Sequence, residues 1–104
     1  MNQAPYTLAE EAQQDIENII EYIFEDNPRA ALAIETQIYE TFDFLAKNPR
    51  IGHLRTDLTE KPYRFWTFRK PYLIIYAEDK PLRIMRVMSG FQDIATSLMN
   101  TKRH

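Results

Sequence analysis

The spacing of apolar residues in this 104-residue chain changes near residue 48 from a helical period to a strand period. Before that point, apolar residues recur every three or four positions in two stripes, which is the pattern of two amphipathic helices. The stripes comprise Ala12, Ile16, Ile19, Ile20 and Ile23, then Ala31, Ile34, Ile38, Phe42 and Leu45. Because the connection between the two helices is very short, they must pack antiparallel, and residues 9–47 are predicted to form a helical hairpin.

Capping signals mark the ends of both helices. Thr7 stands three residues before Glu10, the spacing of a capping box at the start of the first helix. Asn27 is a good N-cap, and Pro28 suits the first helical position, where its missing N–H would have no helical partner. The second helix is predicted to end at Asn48-Pro49, because a residue before proline disfavours the helical conformation.

Three short runs rich in β-branched and aromatic residues follow a predicted loop over residues 48–62. The runs are Tyr63–Arg69, Tyr72–Glu78 and Leu82–Ser89. Their short connections favour an antiparallel meander over residues 63–89. The middle run is almost entirely apolar, which predicts a strand that is central or covered on both faces.

The order of elements, with a short extended start at residues 5–8, is β-α-α-β-β-β. This order predicts an α+β fold in which the helical hairpin packs on a small, antiparallel-rich sheet. Gly90 is predicted to end the last strand, and residues 91–104 to form one or two weak helical turns and a frayed tail. A chain of this length fits one domain, residues 1–104.

The composition excludes several classes of protein. There are no cysteines, which excludes a disulfide scaffold and a thiolate metal site and suits a reducing cytoplasm. His53 and His104, the two histidines, have no metal-ligand spacing, so we expect no metal and no cofactor. No apolar run is long enough to cross a bilayer, and the first residues lack the order of a signal peptide. We therefore expect a cytoplasmic protein that does not contact a membrane.

The net charge of −2 conceals two oppositely charged halves. Residues 1–47 carry ten acids and two bases, a balance of −8, whereas residues 48–104 carry eleven bases and five acids, a balance of +6. The helical period places five acids of the first helix towards water: Glu11, Asp15, Glu17, Glu21 and Glu25. Such asymmetry indicates a charged macromolecular partner, unless the two halves neutralise each other within the fold.

Short motifs spread along nearly the whole chain are individually weak, but their order and spacing are specific. They are the opening Tyr6–Ala12, Asp15-Ile16 with Tyr22-Ile23, Asn27-Pro28, Leu45-Ala46 with Asn48-Pro49 and Ile51-Gly52, Tyr63-Arg64, Tyr72–Tyr76, and Ile84–Gly90. In this order the chain resembles the ParE/RelE superfamily of toxins from type II toxin–antitoxin systems, and the ParE branch most closely.

The resemblance implies a small toxin encoded beside an antitoxin, whose partly disordered segment wraps the toxin until proteolysis releases it. Two activities occur in the superfamily: RelE-like toxins cut messenger RNA in the ribosomal A site, and ParE-like toxins poison DNA gyrase. A third possibility is a toxin fold that has lost toxicity and only binds an antitoxin or takes part in autoregulation. The sequence leaves open whether the chain forms a homodimer.

The residues that a RelE-like ribonuclease would use are incomplete. Such chemistry needs cations around the scissile phosphate and groups that move protons. The resemblance places Arg64 at the first basic strand position, but Trp66 at the next and Leu73 where the third strand would carry an arginine. Gln92 stands where the nuclease branch has a cation, and His104 lies in the predicted frayed tail.

Arg64 and Arg86 remain as strand cations, but two arginines do not make a general base. Losing one transition-state cation costs about 10²–10³ in rate, and at least two are missing. Arg69, Lys70 and Arg83, which are close in sequence, are the residues that could replace them. The interpretation that needs no catalytic residue, a toxin that inhibits gyrase by binding, is therefore favoured.

A binding inhibitor would use surface anchors, for which arginine and aromatic residues are best suited. We predict that antitoxin and target use overlapping parts of the sheet and its rim, and that an acidic antitoxin segment is attracted to the basic half. The predicted partner-binding residues are Arg64, Trp66, Arg69, Lys70, Arg83, Arg86 and Phe91. Trp66 also fits a position in the core.

Arg86 is a cation in an apolar row. Strand alternation places it on the same face as Leu82, Ile84 and Met88. A covered arginine there needs a carboxylate, for which Asp93 is the nearest candidate in sequence. The alternative, which we favour from the sequence, is that Arg86 opens into a groove that accepts a partner.

Overall fold

The computed structural model describes residues 4–90 and 92–100. The chain begins with a short strand and two helices: β1 (Tyr6–Leu8), α1 (Glu10–Asp26) and α2 (Pro28–Lys47). Four more strands and a short helix follow: β2 (His53–Leu54), β3 (Tyr63–Phe68), β4 (Tyr72–Ala77), β5 (Leu82–Ser89) and α3 (Ile94–Asn100). The predicted α+β class, with a helical hairpin on a small sheet, is confirmed.

The two helices form because their apolar stripes can be buried on one side. The fully buried side chains include Ala12 of α1 and Ile38, Phe42 and Leu45 of α2. Asn27 alone separates the helices, and its Oδ1 accepts a hydrogen bond of 3.1 Å from the backbone N–H of Ala30. The predicted Asn27-Pro28 helix start is confirmed.

The capping box predicted at Thr7 is wrong. The N-cap of α1 is Ala9, which makes no side-chain capping bond. Thr7 instead lies within β1, opposite Arg83 of β5, and the N–H of Ala9 donates to the carbonyl of Ile84 at 2.9 Å. Pairing with β5 therefore holds this segment as a strand up to the first residue of the helix.

The five strands form one mixed sheet in the order β1-β5-β4-β3-β2. β1 is parallel to β5, and the other neighbours are antiparallel, as the meander prediction requires. β4 is central, and its Ile74, Ile75 and Tyr76 are fully buried. The predicted loop over residues 48–62 contains one element that was not predicted, the two-residue β2, which pairs with Arg64 and Phe65.

A β-bulge in β5 changes which residues share a face of the sheet. Ile75 lies opposite Arg86, but Tyr76 lies opposite Ile84, so Met85 is the extra residue. Ile75 and Tyr76 are neighbours in a strand and face opposite sides. Arg86 therefore lies on the other face from Ile84, and the prediction that the two share a row is wrong.

Candidate binding surface

Arg64 is held by the end of the sheet and the loop that follows α2. Its Nε donates to Oε1 of Glu78 at 3.1 Å, and its Nη1 donates to the carbonyl of Gly52 at 2.8 Å. Arg50 donates to the other Glu78 oxygen at 2.9 Å. These bonds, first that from Arg50 and then that from Arg64, hold the pKa of Glu78 below its ordinary value. Arg64 thus ties β3 to the loop and is already paired with a carboxylate.

Tyr76 fixes the same loop from the sheet. Its hydroxyl donates to the carbonyl of Pro49 at 2.8 Å and accepts from the N–H of Gly52 at 2.9 Å. A Cβ on residue 52 would lie 2.6 Å from that hydroxyl oxygen, so only glycine allows this approach. Burial raises the pKa of Tyr76, because the phenolate would be poorly solvated there.

Arg86 is neutralised by Asp15 of α1. Its Nε and Nη2 donate to the two carboxylate oxygens at 2.7 and 2.8 Å, and the N–H of Val87 donates to Asp15 at 2.9 Å. The hydrogen bond to Asp15 raises the pKa of Arg86. The preferred interpretation, that Arg86 opens into a groove, is therefore wrong, and so is the solvent-facing position predicted for Asp15. Asp93 is not the partner; it accepts hydrogen bonds from Thr96 at the start of α3.

The β3–β4 turn presents two cations. Arg69 has a positive φ of 41°, and its Nε donates to Oε1 of Gln37 of α2 at 2.6 Å. Lys70, the next residue, is exposed. Trp66 contacts Phe44 of α2, with ring centroids 5.8 Å apart, and both rings remain partly accessible. These residues place an aromatic pair and two cations along the junction of α2 and β3.

Arg83 lies at the opposite end of the sheet. It pairs with Ala77, the last residue of β4, whereas Lys70 precedes the first residue of that strand. Since a strand rises about 3.3 Å per residue, β4 separates the two ends by roughly 17 Å. The cations that could have replaced missing nuclease residues therefore do not converge. Phe91, the remaining predicted contact, lies outside the described residues.

Comparison with protein families finds a match over most of this chain. Residues 6–94 match the model of the ParE toxin of the type II toxin–antitoxin system parDE. The chain belongs to the ParE toxin family. No curated protein matches the sequence. The family implies a type II toxin whose partner is an antitoxin.

No group of three or more metal-ligating side chains lies together in residues 4–90 and 92–100. In the same part of the ParE chain, no helix is both long and apolar enough to cross a membrane.

Proposed function

We propose that this ParE-family toxin binds DNA gyrase and inhibits it, and that the cognate antitoxin neutralises it by covering an overlapping surface. The observation that carries the proposal is the state of the two strand arginines. Arg64 and Arg86 are each engaged by a carboxylate, from Glu78 and Asp15 respectively. A transition state of RNA cleavage would need these positive charges free and aimed at one phosphate.

The residues offered for partner binding are those whose side chains reach solvent. They comprise Trp66 with Phe44, the turn cations Arg69 and Lys70, and Arg83 at the other end of the sheet. Aromatic rings and arginines are the side chains that contribute most when an interface buries them. We keep Phe91 in this set as a proposal from the sequence; Arg64 and Arg86 act by shaping the surface.

The test is a pair of assays on the same purified toxin. We expect the toxin to prevent DNA gyrase from supercoiling relaxed plasmid, and the antitoxin to reverse that inhibition. Transcripts in a translation extract should stay intact. Cleavage of ribosome-bound transcripts without an effect on supercoiling would contradict the proposal and identify a RelE-like ribonuclease. Antitoxin binding with neither activity would identify the non-toxic module.

The shared surface has a test of its own. Saturating antitoxin should displace the toxin from gyrase, because the two partners compete for the sheet and its rim. Inhibition that persists in the presence of saturating antitoxin would show that the surfaces are separate.

A further inference from the structure

A hollow lies over the carboxyl end of β4. Tyr63, Ala77 and Arg83 are directly opposite one another in β3, β4 and β5 and therefore share one face of the sheet. The side chain of Ala77 is small, so a gap remains between its two larger neighbours. Lys61, Pro62, Asp79 and Met85 complete the lining of an open cavity of about 250 Å³.

Met85 of β5 contributes to the floor of this hollow. Met85 lies two residues after Arg83, so ordinary strand alternation places its side chain on the face of Ala77, where it lines the hollow. Met85 and Tyr63 are both buried and supply an apolar floor. The floor is thus formed by side chains that the fold already holds in place.

Two half-buried cations stand at the hollow without a partner. Among the described residues, the side chains of Lys61 and Arg83 form neither a hydrogen bond nor an ion pair, whereas Arg50, Arg64 and Arg86 each contact a carboxylate. No ion pair joins Asp79 to Lys61 or Arg83, so its carboxylate lies more than 4.0 Å from both of these charged groups. The rim therefore carries a net positive charge beside an apolar floor.

We infer that the hollow receives one apolar side chain of the antitoxin, and that an adjacent carboxylate of the antitoxin pairs with Arg83 and Lys61. The inference rests on the neutralisation part of the proposed function. The cavity is smaller than the roughly 300 Å³ at which small-molecule sites begin, which suits a single side chain of a polypeptide. A nucleic acid would satisfy the cations but would leave the apolar floor without an occupant.

We take the antitoxin as the occupant because it is the protein partner that the family implies, and one polypeptide segment can supply an apolar side chain and a neighbouring carboxylate together. A disordered polypeptide that orders on binding gains specificity from a few anchors in preformed pockets. Positive charge at the rim would attract an acidic segment before contact, and the apolar side chain would then slow its release.

The experiment compares antitoxin affinity of toxin variants. The antitoxin is the product of the gene adjacent to the toxin gene, and its Kd is measured by calorimetry with the full-length toxin. We expect Ala77→Leu, which fills the hollow, to weaken antitoxin binding at least tenfold. The double variant with Lys61→Gln and Arg83→Gln should also weaken it at least tenfold. The matched controls, Ala33→Leu and Arg29→Gln with Lys47→Gln, lie on α2 and should change the Kd less than twofold.

A second measurement does not depend on a variant folding. With methionine methyl groups labelled with ¹³C in the wild-type toxin, the Met85 signal should shift on addition of antitoxin, while that of the buried Met88 should shift much less. Equal affinity of all variants, or an unmoved Met85 signal in the bound complex, would overturn the inference and leave neutralisation intact. A wild-type toxin that binds no antitoxin would overturn both, and a hollow-dependent complex that leaves gyrase active would overturn only the proposed target.

Discussion

Gly52 and Tyr76 hold the loop after α2 against the centre of the sheet. Because glycine has no Cβ, the ring of Tyr76 can lie directly against the backbone of residue 52. The tyrosine hydroxyl bonds to two backbone groups of the loop, and the ring leaves no room for a side chain at residue 52. The loop in turn presents the carbonyl that accepts from Arg64. A local packing requirement therefore determines where a strand cation is held.

We predict that Gly52→Ala destabilises the fold by about 1–3 kcal/mol, because the tyrosine must move and lose one or both hydrogen bonds. Urea unfolding of the variant and the wild type measures this change. Gly90→Ala is the comparison, since an added Cβ there would lie 3.3 Å from the carbonyl oxygen of Pro71, a tight contact but a less severe one than the 2.6 Å at residue 52. An equal loss in the two variants would show that tight approach to Tyr76 is not the cause.

Arg69 is the one non-glycine residue with a positive φ in the part of the chain that the structure describes. We predict that Arg69→Gly with Lys70→Ser weakens gyrase inhibition at least about tenfold through lost anchors. Its stability should change by less than about 1 kcal/mol, because relief of the left-handed backbone offsets the lost bond to Gln37.

Supercoiling assays and thermal unfolding test the two parts of this expectation. Arg29→Ala with Lys47→Ala removes the same charge from the helices and serves as the control. Full inhibition by the turn variant would remove Arg69 and Lys70 from the proposed contact surface.

The ion pair of Asp15 and Arg86 connects α1 to β5. Both side chains are largely covered, with exposed fractions of 13% and 15%. The same carboxylate also accepts the N–H of Val87. Removing either partner would therefore leave a charge in a place with little access to water.

We predict that Arg86→Ala costs about 2–4 kcal/mol of stability, a value between those of a lost charged hydrogen bond and a broken buried ion pair. Chemical denaturation provides the measurement. Arg55→Ala, which breaks the exposed pair with Asp57, should cost less than about 1 kcal/mol. If the two losses were similar, Arg86 would be a surface cation after all.

The helices could be predicted because each repeats its apolar spacing over several turns, and the three longer strands because they are runs rich in β-branched and aromatic residues with short connections. β2 could not, since two residues carry no period. The bulge at Met85 has no local glycine or proline to signal it, and it reversed the face assigned to Arg86. Asp15 did carry a signal: it lies three residues after Ala12 and four before Ile19, within the apolar stripe of α1.

Part of the candidate binding surface could also be predicted from the spacing of residues in the sequence. Sequence spacing predicts a short connection at Lys70-Pro71, and the structure places Lys70 in that turn; Arg69, predicted as the last residue of the strand, lies in the turn as well. Their separation from Arg83 depends on the direction and length of β4, and the pairing of Arg64 and Arg86 depends on contacts distant in sequence. The carboxylates that neutralise these two arginines could therefore be identified only from the three-dimensional structure.

Within residues 4–90 and 92–100, few ion pairs join the two charged halves. Among the described residues, the ion pair of Asp15 with Arg86 is the one that connects them, and the other pairs lie within the basic half. Ion pairs between these described residues therefore do not account for most of the charge asymmetry. The remaining charge is available for electrostatic interaction with a binding partner.

We predict that antitoxin association slows about tenfold or more between 0.05 and 0.5 M salt, because exposed charges that guide an encounter are screened. Stability of the free toxin should change much less over this range, since its central ion pair is covered. Stopped-flow association and thermal unfolding give the two values. An association rate independent of salt would contradict a steering role for the basic half.

The bond from Val87 to Asp15 also has a meaning for solubility. β1 covers β5 only as far as Ile84, so a backbone donor beyond that point would invite a strand from another molecule. The carboxylate occupies this donor and brings a charged helix to the open margin. This margin of the sheet is therefore a poor template for the addition of a strand from a second molecule.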